Sequence, residues 1–115
     1  MDAEAKALAL GYAALAKQDK LRVLASTGQN LLNSARGVSY DYREILQLAN
    51  EKLLAVNELQ AHVAGMMLQL LDDDPVREPD QVLIAALVEK ATSVDIEDEL
   101  VWALSKAIEE MQVRY

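Results

Sequence analysis

The sequence predicts an all-α fold: a helical bundle in which a long antiparallel helical hairpin is followed by a short two-helix acidic unit. Three observations predict it. Apolar residues recur at spacings of three and four along most of the chain, and no stretch alternates with the period of a strand. Gly and Pro together fill only six of the 115 positions, which leaves little room for loops. The balance of 52% hydrophobic to 26% charged residues is that of a folded, soluble chain, not a disordered one. The length suits one domain. It divides into a hairpin over 1–71, a linker over 72–78 and an acidic unit over 79–115.

The hairpin's first arm spans about 3–36, and its apolar pattern changes phase. Leu8, Tyr12, Leu15 and Ala16 form one stripe. Leu21, Leu24, Gly28, Leu31 and Ala35 form another, turned from the first by more than about 100°. The slip at Gln18–Asp19–Lys20 predicts a kink or short break with Asp19 as a cap. The early stretch is rich in alanine and contains Gly11, so its packing face is shallow. It reads as a loosely held arm, or one that crosses to another subunit. Gly11 and Gly28 are places where helices can approach closely, and Gly37 is placed to follow the helix end.

The second arm, about 42–71, carries the plainest pattern. Asp41 and Glu44 are spaced as a capping box, with Tyr40 and Ile45 as its hydrophobic staple. Tyr42, Leu46, Ala49, Leu53, Val56, Gln60, Val63, Met67 and Leu70 then alternate spacings of four and three, like a coiled-coil seam. Such a helix is ~45 Å long at 1.5 Å per residue, against roughly 35 Å for a compact globule of this size. That length predicts a long neighbour or a second copy. Leu46, Leu53, Val56, Gln60, Val63 and Met67 are the expected interface of a homodimer, with Gln60 able to fix its register.

Asp72–Glu78 reads as a linker, and Pro75 within it enforces the stop of the second arm. Pro79 is expected to open a third helix that runs to about Ala91. Its segment Val82–Val88 is apolar all round, which predicts a helix surrounded by protein. Asp95 is expected to cap the fourth helix, where Ile96, Leu100, Leu104, Ala107, Ile108 and Met111 gather into one stripe.

Charge is unevenly placed. Through Leu71 seven acids meet seven bases, whereas from Asp72 onward twelve acids face four bases. The net charge of −8 therefore lies in residues 72–115, where it repels nucleic acid and anionic lipid and attracts basic partners. A solvated acidic face that aids solubility is the plain alternative. The absence of cysteine removes disulfides, thiol nucleophiles and thiolate metal sites, and fits a cytoplasmic protein. The opening residues place acid before base and interrupt their apolar run, so they do not read as a signal peptide.

Nothing in the pattern calls for catalysis, a cofactor or a metal. His62 stands alone beside Glu58, which reads as an exposed pair on a helix flank, and no serine sits in a strained elbow. Asp72–Asp73–Asp74 lacks the spacing of a calcium loop. A helix-turn-helix is excluded because its reading helix would begin Asp-Ile-Glu-Asp-Glu against phosphates.

Trp102, the single tryptophan, projects roughly 170° from the last helix's apolar stripe. Asp95, Asp98, Glu99, Lys106 and Glu109 are its expected company. A large aromatic ringed by acid suggests a surface for a basic protein partner, extended by Val101 and Val113, unless the ring packs within the chain. The functional expectation is a non-enzymatic adaptor, regulator or chaperone-like protein. The alternative is an inhibitor of a nucleic-acid-binding protein whose Asp95, Asp98, Glu99, Glu109 and Glu110 imitate phosphates.

Overall fold

The computed structural model describes residues 2–34, 37–71 and 80–114, and these are all-α. They form α1 (Ala3–Ser34), α2 (Tyr40–Leu71), α3 (Gln81–Thr92) and α4 (Asp98–Arg114), with no strand among them. The linker, Pro75 and Pro79 lie outside the described residues.

Each start is set by local chemistry. The Asp2 carboxylate accepts from the Ala5 N–H at 2.7 Å and caps α1. For α2 the cap is Ser39, whose hydroxyl accepts from the Tyr42 N–H at 3.3 Å. The capping box expected at Asp41 is thus displaced by two residues. Asp41 instead sits in the first turn, facing the positive end of the helix dipole, and Tyr40 is exposed and makes no staple. Asp80 opens α3 by accepting from the Val82 and Leu83 N–H groups, both at 3.1 Å. At α4 the first turn closes on the Glu97 carbonyl, not at Asp95. Ile96 and Val101, both buried, flank that start in the positions of a hydrophobic staple. Gly37 takes φ 70°, the left-handed conformation expected after α1.

α1 runs as one helix through Gln18–Asp19–Lys20, so the expected break is absent. Asp19 is no cap; it pairs with Arg22 on the exposed side of the helix. The slip in pattern belongs to the largest apolar residues alone. The residues that α1 turns inward are mostly small: Ala7, Gly11, Ala14, Gln18, Leu21, Ala25 and Gly28, buried or half-buried at alternating spacings of four and three. Tyr12 and Ala16 face solvent.

Contacts group the chain into two compact units, Met1–Lys17 with Val56–Asp95, and Gln18–Ala55 with Ile96–Tyr115. This differs from the expected division, because α3 and α4 fall in different units and each packs with one half of the long helices. In the first unit Ala7 packs with Val63, Met67 and Leu70 of α2 and Ile84, Leu87 and Ala91 of α3. A Cβ at Gly11 would lie 2.7 Å from the Met67 sulfur and 3.3 Å from Leu87, so the missing side chain is what admits both. Only one side of α3 is buried. Val82 is 80% exposed, so α3 is not surrounded by protein.

The second unit repeats the device. Leu21 and Ala25 of α1 are buried, as are Tyr42, Leu46 and Ala49 of α2 and Val101, Leu104, Ile108 and Met111 of α4. A Cβ at Gly28 would meet Leu46 at 3.2 Å, the Tyr42 hydroxyl at 3.3 Å and Ile108 at 3.8 Å. That hydroxyl donates to the Gly28 carbonyl at 2.6 Å. Early α1 thus packs with late α2 in one unit, and late α1 with early α2 in the other, the order of an antiparallel hairpin.

These contacts set the effect of three substitutions. A Cβ at Gly65 of α2 would have nothing within 4 Å, so Gly65→Ala should stabilise by about 1 kcal/mol through helix propensity. Gly28→Ala gains the same propensity but crowds Tyr42 and Leu46, and should lower the urea midpoint. Burial raises the Tyr42 hydroxyl above its ordinary value of 10.0. A raised folded pKa favours the neutral form, so its stabilisation is present below about pH 10 and is lost as pH climbs through the folded value. Tyr42→Phe should cost about 1 kcal/mol at neutral pH. Urea titrations at rising pH should show wild type losing stability relative to Tyr42→Phe only in the alkaline range.

Candidate functional site

α4 is amphipathic because its apolar residues keep helical spacing while charge fills the opposite side. Ile96, Leu104, Ile108 and Met111 are buried and Leu100 and Ala107 half-buried, which anchors the helix in its unit. Trp102 consequently faces outward, 65% exposed. The indole is not core. Along the same side lie Asp98, Glu99, Lys106 and Glu109, all exposed, within about 60° of Trp102 at the helical step.

The charges have distinct surroundings. Asp98 and Glu99 occupy the first turn of α4, where the helix dipole favours carboxylates. The Lys106 ammonium lies 3.4 Å from the Glu109 carboxylate. Both side chains are more than half exposed, so this pair contributes at most about 1 kcal/mol. It partly neutralises the middle of the patch.

Val113, 88% exposed, lies about 20° from Trp102 on the helix. A shallow depression lined by Lys106, Glu109, Glu110 and Val113 continues the face beyond the indole. Val101, expected to extend that surface, is buried instead. Asp95 is exposed and precedes α4, so the helical step from Trp102 does not place it. The face consists of Asp98, Glu99, Trp102, Lys106, Glu109 and Val113.

The seam expected as an oligomer interface is occupied. Leu46, Val56, Val63 and Met67 are buried within the single chain, and Leu53 and Gln60 are half-buried. The area of the four buried residues is covered within the chain itself, and only Leu53 and Gln60 keep part of their surface open. Met67 is buried in the first unit's core, and the partly buried Met66 packs against it. His62 and Glu58 are both exposed on α2. Among the described residues no group of three or more His, Asp and Glu side chains is placed to hold a metal ion. No described helix is long and apolar enough to cross a membrane.

Comparison with protein-family models, curated proteins and solved structures finds no match to this chain. The α4 face is therefore the ground on which function is inferred.

An exposed indole makes its own prediction. Trp102 emission should be red-shifted and quenched by iodide at every protein concentration. Trp102→Ala should move the folding free energy by no more than about 0.5 kcal/mol, as for other surface changes. A blue-shifted, protected indole in the quenching titration would place the ring in a contact instead.

Proposed function

We propose that this chain is a non-enzymatic helical interaction protein, an adaptor, regulator or chaperone-like factor, that docks a basic protein partner on the outer face of α4. The observation that carries the reading is Trp102, 65% exposed on a helix whose other side is anchored in the core. An indole left in water at an acidic face gains most when a partner covers it, and tryptophan is enriched among residues that dominate binding. Asp98, Glu99 and Glu109 supply the field that steers a basic surface toward it. Charge sets encounter and selectivity here, and the ring supplies desolvated contact.

The same acids argue against direct contact with nucleic acid or anionic lipid, whose charge they repel. The lack of cysteine suits the cytoplasm. The homodimer expected from the length of the helices remains part of the proposal, on a face other than the buried seam.

The test is capture by the tagged 115-residue chain, measured for wild type, Trp102→Ala and a variant neutralised at Asp98, Glu99 and Glu109. Trp102→Ala should weaken capture by about 1–2 kcal/mol, or roughly 5- to 30-fold. Neutralisation should mainly slow association and flatten its salt dependence. Capture that survives loss of the indole but disappears on neutralisation would favour the phosphate-imitating inhibitor. Capture indifferent to both would remove the α4 face from the account.

A further inference from the structure

The second copy proposed above needs a surface, and the first half of α2 supplies one. Tyr40, Arg43, Gln47, Glu51 and Leu54 share one side of the helix, all within about 40° of Gln47 at the helical step. Every one is exposed, Tyr40 to 76% and Leu54 to 79%. A groove of about 390 Å³ follows this side, bounded by Gln29 and Leu32 of α1 and by Arg43, Gln47, Glu51 and Leu54 of α2. Gln47 points away from the buried seam of α2, and Leu46 of that seam lies at the base of the groove.

The order of these residues is symmetric about Gln47. Tyr40 and Leu54 each lie seven positions from it, and Arg43 and Glu51 each lie four. In a two-fold pair of antiparallel helices, residues equally distant from the centre face each other across the axis. Tyr40 then meets the other copy's Leu54, an exposed ring against an exposed aliphatic chain. Arg43 meets Glu51, a cation against an anion, and each contact occurs twice. Gln47, whose side-chain amide donates to Glu51 at 3.2 Å, falls on the axis.

We infer that α2 pairs with the α2 of a second copy, antiparallel and centred on Gln47. Charge favours this half of the chain for self-association. Through Leu71 acids and bases balance, whereas contact through the C-terminal part would bring two strongly acidic surfaces together. A foreign partner has no reason to require a pattern that complements itself.

The inference rests on the homodimer reading, and one set of mass measurements separates the two. The 115-residue chain is examined by sedimentation over micromolar to high-micromolar concentrations. Wild type should pass from 12.7 kDa to twice that mass. Arg43→Glu and Glu51→Arg each place two like-charge pairs across the axis, and each alone should weaken pairing at least ~10-fold. Mixed in equal amounts, the two variants restore both opposite-charge pairs and should dimerise again. Both positions are exposed, so helicity should not change.

The chain has no cysteine of its own, which permits a second probe of the axis. Gln47→Cys should form an intermolecular disulfide readily, and Val23→Cys on α1 should not. A wild type that stays at 12.7 kDa would overturn the dimer and this face together. A dimer untouched by either charge reversal, or variants that fail to rescue each other, would overturn this face alone. Equal cross-linking at Gln47→Cys and Val23→Cys would do the same.

Discussion

The fold depends on how little side chain α1 places in its own seam. Ala7, Gly11, Ala14, Ala25 and Gly28 provide almost no volume, so the backbone of α1 is bare where its neighbours press against it. At Gly11 that space is taken by Met67 of α2 and Leu87 of α3, and at Gly28 by Leu46 and Tyr42 of α2 and Ile108 of α4. Each compact unit therefore has a glycine of α1 at its centre, a large residue from α2 beside it, and a large residue from a short helix completing the contact. The Tyr42 hydroxyl fixes one of these sites by its bond to the Gly28 carbonyl. Close packing of this kind makes volume at the glycines costly to add.

Helix length explains why two units arise. α1 and α2 have 32 residues each, or about 48 Å at 1.5 Å per residue. α3 has 12 and α4 has 17, about 18 and 26 Å by the same rise. Neither short helix can cover a long one, so each takes half. Gln18 opens the second unit and is buried, with no hydrogen-bond partner for its side-chain oxygen among the described residues. A polar group at a seam position stabilises less than an apolar one but restricts which registers are tolerable.

Some of this is more legible in the sequence than the rest, for physical reasons. The seam of α2 is plain because Leu46, Val56, Val63 and Met67 are large and keep their spacing. That of α1 is obscured because Leu8, Tyr12 and Leu15 dominate the hydropathy pattern, whereas close approach selects small residues that hydropathy hardly registers. The wide seam of α2 looks from sequence like surplus area awaiting a second copy. In fact α1, being thin, leaves room for the short helices to share it. Caps are ambiguous where several candidates stand together, Ser39 near Asp41 and Glu97 near Asp95, and only backbone geometry chooses between them. Trp102 is legible because α4 puts apolar and charged residues on opposite sides, and a helical step suffices to place the ring.

The surface divides by charge as well as by helix. The outer side of α4 combines an indole with carboxylates, a combination suited to a basic partner and unsuited to itself. The outer side of α2 combines one cation, one anion, an amide and two apolar residues in an order that complements its own reversal. Docking and self-pairing, as proposed, thus call on different helices and opposite electrostatic conditions. A basic partner would neutralise the α4 acids without altering the α2 charges, so occupancy of one face should leave the other's pairing energy largely intact. Two copies joined through α2 would also present two acidic α4 faces, and a partner with two basic segments would gain from effective concentration without any new contact.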